Sequence, residues 1–178
     1  LMLDADVIYL DNLQSAALAE EIAFAGLGGK TVLTSFLAYD ASNSIVRLLE
    51  TGVDPVLLSS SLCGFACQRL IRVLCPKCKQ PADIPASLAE LLPEKELGKK
   101  IYTAKGCDGC FNTGYSGKTL ILEFIPATAT LRQMMINRQN YQDFNSFARK
   151  QGVKSLATKA LEMMLQGETS ADEFMRLF

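Results

Sequence analysis

Two Cys-x-x-Cys pairs constrain this chain more than any other feature of its sequence. The first pair is Cys75 and Cys78 in "CPKC", and the second is Cys107 and Cys110 in "CDGC". Two residues between paired cysteines allow a tight turn to direct both sulfurs at one ion, and four such sulfurs form the tetrahedral site that zinc prefers. The 28 residues between the pairs must therefore return the chain so that the second pair meets the first.

The spacing predicts a structural Zn²⁺ site with Cys75, Cys78, Cys107 and Cys110 as ligands. Four protein ligands leave no open position for water, so the site is expected to stabilise the fold and not to catalyse a reaction. Zinc with four thiolates carries a net charge of about −2, which neighbouring cations can offset. Three lysines lie next to the ligands in the sequence: Lys77, Lys79 and Lys105. The alternatives are four thiols without metal, or two disulfides.

The other two cysteines are interpreted differently. Cys63 and Cys67 lie four residues apart in the apolar stretch "CGFAC". Free cysteine in such surroundings usually behaves as a small buried hydrophobic residue. We therefore assign both residues to the core and leave them out of the metal site.

Composition limits the remaining classes of function. The 178 residues are 49% hydrophobic, enough for one or two compact domains. With 18 basic and 19 acidic residues and no long run of either sign, the sequence gives no electrostatic reason to expect a nucleic-acid or acidic-membrane partner. Apolar runs are too short to span a membrane and the N-terminus lacks a signal-peptide pattern, so a cytoplasmic protein is expected. In that reducing compartment, paired cysteines favour metal over disulfides.

The first half of the chain alternates strands and helices. Apolar and β-branched runs predict strands, and runs rich in alanine and leucine predict helices. The predicted strands are 7–10, 31–37 and 68–74. The predicted helices are 13–24, a helix capped by Asp40 and ending before Gly52, and a helix that opens at Asp54-Pro55 and runs to about residue 62. This alternation is typical of an α/β layered unit.

The second half changes character twice. A lysine- and proline-bearing insert carries the cysteines and a short helix near 87–92, a strand follows at 119–125, and apolar spacing from 128 onward predicts a small helical bundle. Ser170 and Glu173 form the pattern of a capping box before the last helix. The predicted domains are 1–74, 75–118, 119–127 and 128–178.

Two segments imitate a phosphate-binding P-loop. "GLGGKT" at 26–31 and "GYSGKT" at 114–119 contain the glycine, lysine and threonine of the pattern. Phe24 and Asn112 occupy the positions where the first glycine is required, and each segment leads into a predicted strand in place of a helix. Backbone amides at a helix N-terminus hold the phosphates in a true P-loop. Neither segment is therefore predicted to bind phosphate.

Several stretches together resemble the secretion ATPases of type II secretion and type IV pilus assembly. They include "DADVIYLDNLQS", in the position of the Walker B region, and "GLGGKTVLTSFLAYDAS", in the region of the His box. They continue through "RLLETGVDPVLLSSSL", "QRLIRVLCPKC", "GCDGCFNTGYSGKTLILEFI" and "GETSADEF". The resemblance covers nearly the whole chain, as the part downstream of the P-loop, and the cysteine motifs indicate the secretion and pilus-assembly branch of the family.

This resemblance implies a fold, partners and cofactors. The expected fold is α/β: part of a RecA-like P-loop NTPase core, with a tetracysteine zinc-binding insert and a C-terminal helical subdomain. The expected assembly is a self-associated hexameric motor on the cytoplasmic face of the inner membrane, working with membrane platform proteins. ATP and Mg²⁺ are implied only if a P-loop lies upstream.

The sequence departs from the family where the chemistry is expected. The family's Walker B strand ends in Gly-Glu, and the Glu orients the attacking water, whereas this chain has Asp11 followed by Asn12. An Asn side chain cannot act as a carboxylate base. Lys30 and Leu37 stand where the His box carries histidines, and the chain has no histidine. Asp11 could still hold Mg²⁺ through water, but we favour a loop carboxylate or a helix cap.

These departures predict a vestigial Walker B end at Asp11 and Asn12, and no ATP hydrolysis by this chain alone. The expected role is that of a zinc-stabilised structural or assembly subunit. The alternative is a fragment of an ATP-binding, slowly hydrolysing motor whose P-loop lies upstream of residue 1. An unrelated zinc-ribbon protein that binds nucleic acid is a weaker alternative, because basic residues do not cluster.

Overall fold

The computed structural model describes residues 5–13, 15–92, 94–96 and 98–178, without the side chain of Lys95. This part of the chain is a mixed α/β protein that divides into two compact units. The first unit contains the chain up to Cys67 together with Glu123–Lys154, and the second contains Gln68–Leu122 together with Ser155–Phe178. Residues 119–127 and 128–178 are thus each shared between the units, and the four predicted domains stay a prediction.

Besides two short 3-10 helices at Glu94–Glu96 and Asp108–Cys110, the described residues form six strands and eight α-helices. In chain order they are β1 (Val7–Leu10), α1 (Ala16–Leu27), β2 (Thr31–Thr34), α2 (Ala41–Glu50), α3 (Pro55–Ser61), β3 (Gly64–Leu74), β4 (Gln80–Ala82), α4 (Ala86–Ala89), β5 (Ile101–Thr103), β6 (Tyr115–Pro126), α5 (Ala129–Ile136), α6 (Tyr141–Lys150), α7 (Leu156–Leu165) and α8 (Ala171–Leu177). No helix among these residues has the length and apolar character needed to cross a membrane.

The first unit opens with two parallel strands joined by a helix. β1 pairs with β2 in parallel, with Tyr9 opposite Leu33. The predicted helix begins at Ala16 and not at residue 13, because the Leu13 N–H donates to the Ser35 carbonyl at 2.8 Å and Leu13 lies outside the helix. Ser15 caps α1 by accepting from the Leu18 N–H at 3.3 Å. The carboxyl ends of β1 and β2 therefore lie side by side.

Helices α2 and α3 begin at the predicted caps. The Asp40 carboxylate accepts from the Asn43 N–H, and the Asp54 carboxylate accepts from the Val56 N–H, both at 2.7 Å. Such contacts satisfy backbone donors that have no partner inside a helix. α2 contacts α6, and α3 contacts α1 and α5, so the core of the first unit forms between these helices. Its fully buried side chains include Ile45, Val53, Leu131, Met135 and Phe144.

A buried carboxylate also lies in the first unit. Glu123 on β6 is completely buried, and its carboxylate contacts the Arg149 guanidinium at 2.5 Å and the Ala41 N–H at 3.4 Å. A buried charge is tolerated when it is paired and hydrogen-bonded. Glu123 therefore connects β6 to the N-terminus of α2 and to α6.

Strands β3 and β6 pair with each other and are longer than predicted. The Ala127 N–H donates to the Cys63 carbonyl at 3.0 Å, and the Cys75 N–H donates to the Gly114 carbonyl at 2.9 Å. These bonds lie at opposite ends of the two strands. The ladder thus ends directly at the first metal-binding cysteine predicted from the sequence.

In the second unit, β4 pairs antiparallel with β5, and β5 contacts α7 and α8. The predicted capping box forms only in part. The Ser170 hydroxyl accepts from the Glu173 N–H at 3.1 Å, but the buried Glu173 carboxylate binds Arg72 and Arg176 at 2.7 Å and does not bind back to the cap. Two guanidinium groups are a stronger partner for a buried carboxylate than one amide. Burial alone would raise the pKa of Glu173, but the hydrogen bonds from Arg176 and Arg72 lower it to about 2.

Candidate metal centre

The structure brings together the four cysteines that the sequence singled out. The sulfur atoms of Cys75, Cys78, Cys107 and Cys110 all lie within 4.8 Å of one another, and all four are free thiols. The Cys110 sulfur is 3.7 Å from that of Cys107 and 3.8 Å from that of Cys78. A tetrahedron with Zn–S bonds of about 2.3 Å has S–S edges of about 3.8 Å. The spacing between these sulfurs therefore fits one tetrahedral ion.

Two tight turns position the sulfurs. In the first turn, the Cys75 carbonyl accepts from the N–H groups of Cys78 and Lys79, at 3.3 and 3.0 Å. In the second turn, the Cys107 carbonyl accepts from the N–H groups of Cys110 and Asn112, at 3.0 and 2.9 Å. The repeated arrangement is what two residues between paired cysteines allow. Each pair therefore presents two sulfurs on one side of its turn.

Gly114 joins the two halves of the cluster. Its N–H donates to the Cys110 sulfur at 3.2 Å, and its carbonyl accepts from the Cys75 N–H at 2.9 Å. Its φ is +77°, and a Cβ at this position would lie 2.5 Å from the Cβ of Ala104. Glycine is the residue that adopts such a φ without a steric cost, and here the space for a side chain is also missing.

The Cys110 sulfur accepts two backbone hydrogen bonds, and these change the pKa of its thiol. Burial would raise the pKa of the Cys110 thiol, but the N–H groups of Cys107 and Gly114 point at its sulfur and lower the pKa to about 6. Burial and the neighbouring thiols raise the pKa of Cys78 to about 12. Thiolates are the form that binds metal. Cys110 therefore provides a thiolate near neutral pH.

The three neighbouring lysines have different surroundings. The Lys77 ammonium lies over the second turn, 3.7 Å from where a Cβ on Gly109 would be. Lys79 lies elsewhere, because its ammonium donates to the Gly167 carbonyl at 2.7 Å and sits 4.6 Å from the centre of the Tyr102 ring. Lys105 is exposed. Of these lysines, Lys77 is the one whose position suits charge compensation at the cluster.

The remaining two cysteines lie outside the cluster. Cys67 is buried, as predicted, and its sulfur is 4.0 Å from the Ala38 carbonyl oxygen. The prediction that Cys63 is also a core residue was wrong, because it is exposed at the position just before β3.

Asp11 and Asn12 lie at the carboxyl end of β1, beside the end of β2. The exposed Asp11 carboxylate accepts hydrogen bonds from the Ser35 hydroxyl and, at 3.3 Å, from the Tyr9 hydroxyl. These two bonds, that from Ser35 first, lower the pKa of Asp11. The Asn12 backbone has a φ of +60° and its N–H donates to the Ser35 hydroxyl at 3.1 Å. Asp11 is thus a loop carboxylate; the helix-cap alternative was wrong, since Ser15 caps α1.

The two residues at the His-box positions, Lys30 and Leu37, have different surroundings. The Lys30 ammonium donates to the Ala5 carbonyl at 2.8 Å. Leu37 is 81% exposed and borders a cavity of about 330 Å³ whose lining also includes Asn12 and Arg47. The Arg47 guanidinium donates to the Leu37 carbonyl at 2.7 Å.

Comparison with known proteins places the chain in a family. The family described as "Type II/IV secretion system protein" matches residues 1–176. The chain belongs to this family. The chain is similar to the Type IV pilus assembly ATPase TfpB of Acinetobacter baylyi, 34% identical over 98% of the chain and 30% of the relative. Type II secretion system protein E of Pseudomonas aeruginosa is 34% identical over 98% of the chain and 35% of the relative.

This chain of the Type II/IV secretion family therefore spans about a third of the length of these relatives, 30% and 35%. A solved structure also resembles it. The ATPase DotB of Legionella pneumophila has a TM-score of 0.61 at 12% identity, over 98% of this chain and 38% of the DotB chain. At that identity the likeness concerns the fold alone.

The dual role of Gly114 leads to a stability prediction. Gly114 and Gly152 share a φ of +77°, but a Cβ on Gly152 would meet no atom within 4 Å. We expect Gly152→Ala to lower the free energy of unfolding by about 1 kcal/mol through backbone strain alone. Gly114→Ala should cost about 2 kcal/mol more, because its methyl group would overlap Ala104. Urea denaturation of both variants measures this difference, and equal losses would contradict the close packing of Gly114.

Proposed function

We propose that this chain is the C-terminal part of an ATPase-like protein of type II secretion or type IV pilus assembly, catalytically degenerate and acting as a zinc-stabilised structural and assembly region. The observation that carries the proposal is the group of four sulfurs within 4.8 Å of one another. Cys75, Cys78, Cys107 and Cys110 would hold one Zn²⁺, which supplies a rigid tetrahedral link between the two turns. Four ligands fill its coordination, so the metal has a structural role.

We propose further that the region before the insert is part of a RecA-like core whose hydrolytic positions are degenerate. Asn12 follows the strand end at the position of the family's glutamate, and an amide cannot accept the proton of an attacking water. Asp11 is engaged by the hydroxyls of Ser35 and Tyr9. The sequence contains no histidine that could sense a γ-phosphate at Lys30 or Leu37.

The proposed setting is supported by the names of the relatives, a type IV pilus assembly ATPase and a type II secretion system protein. The protein would self-associate, as a hexamer, on the cytoplasmic face of the inner membrane. Its partners would be the platform proteins of a secretion or pilus apparatus. ATP and Mg²⁺ would bind to the whole protein if it contains a P-loop outside these residues.

A second candidate is an ATP-binding motor that hydrolyses slowly. The observation that favours it is the Asp11 carboxylate, which lies at the carboxyl end of β1 with its pKa lowered and so remains ionised. A carboxylate at such a strand end holds the Mg²⁺ of many P-loop NTPases. In this case Asp11 would retain a role in binding metal-bound nucleotide.

The test uses the longest natural form of the protein, purified without chelator. We expect about one zinc per chain, the content of a closed four-cysteine site. We also expect no ATP turnover above background, whether or not calorimetry detects binding of Mg-ATP. Turnover that disappears in Asp11→Ala would establish the motor and overturn the degenerate assignment. Zinc well below one per chain would overturn the metal site.

A further inference from the structure

The connection between α7 and α8 is held by residues next to the metal-binding cysteines. The Gly167 carbonyl accepts from the ammonium of Lys79, which follows Cys78, at 2.7 Å. The Glu168 carbonyl accepts from the N–H of Leu74, which precedes Cys75, at 2.8 Å. Both residues that flank the first cysteine pair thus bind this connection. We call residues 167–177 the C-terminal latch.

The next two residues of the latch are buried and polar. Thr169 and Ser170 are completely buried. The Thr169 hydroxyl donates to the Arg72 carbonyl at 2.8 Å, and the Ser170 hydroxyl lies 2.7 Å from the Tyr115 hydroxyl. A buried hydroxyl that loses its partner carries a desolvation cost. These residues are therefore stable in the latch only while β3 and β6 keep their ends in place.

Helix α8 completes the latch. Its Glu173 carboxylate binds the backbone N–H of Arg72 at 2.9 Å and the Arg72 guanidinium at 2.7 Å. The Arg69 guanidinium donates to the Leu177 carbonyl, and Phe174 is buried. The Arg72 guanidinium also lies 4.1 Å from the centre of the Tyr115 ring. α8 is thus attached to β3 next to the start of the first turn.

The metal ligands set the positions of these attachment residues. Cys75 and Cys78 are neighbours of Leu74 and Lys79, while Tyr115 follows Gly114, whose N–H donates to the Cys110 sulfur. The two turns come together at the sulfurs, and a bound ion would hold all four at a fixed separation. Without the ion, that link between the turns is lost. The ends of β3 and β6 that bind the latch would then no longer be held at fixed positions.

We propose that metal binding at the four cysteines controls the docking of the C-terminal latch. The metal-bound protein holds residues 167–177 on β3 and β6, and metal loss releases them while the first unit stays folded. This inference rests on the proposed zinc site. It adds a conformational consequence: the metal determines whether α8 stays docked, and not only the structure of the insert that contains its ligands.

Hydrogen exchange measured by mass spectrometry tests this inference on the full chain. Zinc content is determined first, because a chain without zinc refutes the site itself and not only the latch. In zinc-loaded protein treated with a chelator, we expect amides of the latch to exchange at least about tenfold faster, the effect of losing one or two hydrogen bonds. Amides of α5 and α6 should keep their rates. Unchanged exchange in the latch, or equal acceleration in all helices, would overturn the proposal.

A pair of lysine variants tests the route of coupling with the metal still bound. Lys79→Met removes the donor to the Gly167 carbonyl and keeps most of the apolar stem. It should accelerate exchange in the latch several-fold while zinc content stays at the level of the unmodified chain. Lys118→Met is the matched control, because Lys118 is an exposed lysine on β6. Equal exchange in the two variants would overturn the role of Lys79 in docking the latch.

Discussion

Cys110→Ser is expected to abolish stoichiometric zinc binding and to destabilise the second unit. The Cys110 sulfur is close to the sulfurs of Cys78 and Cys107 and accepts two backbone N–H groups, so its loss removes a ligand and its oriented environment. Zinc content should fall from about one per chain to well below it. At free zinc one thousand times the Kd of the unmodified protein, the lost stabilisation is about 4 kcal/mol.

Cys63→Ser is the matched control for this experiment. Cys63 is an exposed cysteine outside the cluster, so its replacement should leave zinc content and thermal unfolding nearly unchanged. Metal analysis combined with thermal unfolding at fixed zinc concentration measures both variants. If Cys110→Ser kept full zinc content, the tetrahedral site would be wrong. If both variants lost stability equally, the cluster would contribute no more than an ordinary thiol.

Glu173→Gln is expected to produce the second large effect. The Glu173 side chain is fully buried, while its partners Arg72 and Arg176 are 36% and 51% exposed. Breaking a fully buried ion pair costs about 3–5 kcal/mol, and we expect about 2 kcal/mol here because water can solvate the released arginines. Asp172→Asn is the control, since Asp172 is exposed on the same helix. Equal stability of the two variants in urea denaturation would contradict this role of Glu173.

The same carboxylate predicts a pH dependence. Its pKa is lowered from 4.5 to about 2 in the folded protein, so the unfolded chain binds the proton more readily. The stabilisation is therefore complete above pH 4.5 and is lost as the pH falls from 4.5 towards 2. Thermal unfolding across this range should show a steeper loss for the unmodified chain than for Glu173→Gln. Parallel curves would show that Glu173 does not carry this dependence.

Much of the cluster and of the local helix starts could be predicted, because each depends on short-range chemistry. Two residues between cysteines are enough to define a turn that presents two sulfurs. Asp40 and Asp54 cap the helices that they were predicted to cap, since a side chain needs only two or three residues to reach its backbone donor. Secondary structure in the first half was therefore located well, with errors of a few residues at the ends.

Features set by distant partners were missed. Glu123 alternates with Ile121 and Ile125 on β6, which indicates an inward-facing side chain, but the sequence does not show that Arg149 pairs with it. Glu173 was predicted to cap its own helix, whereas arginines from β3 and α8 attract its carboxylate. The sequence position of Lys79 predicts an ammonium next to the metal, yet this group donates a hydrogen bond to the carbonyl of Gly167, 88 residues away. In each case a partner distant in the sequence contributed: Arg149 for Glu123, Arg72 for Glu173 and the Gly167 carbonyl for Lys79.

The discontinuous make-up of the first unit has a consequence for synthesis on the ribosome. Residues 68–122, 55 residues in all, separate its two stretches. At about 5–20 residues per second, several seconds pass before α5 and α6 emerge after α2 and α3. Ile45 on α2 and Leu58 on α3 are buried in the finished protein, but during this interval α6, which contacts α2, and α5, which contacts α3, have not yet been made. The nascent chain therefore presents an apolar surface that suits transient binding by a chaperone.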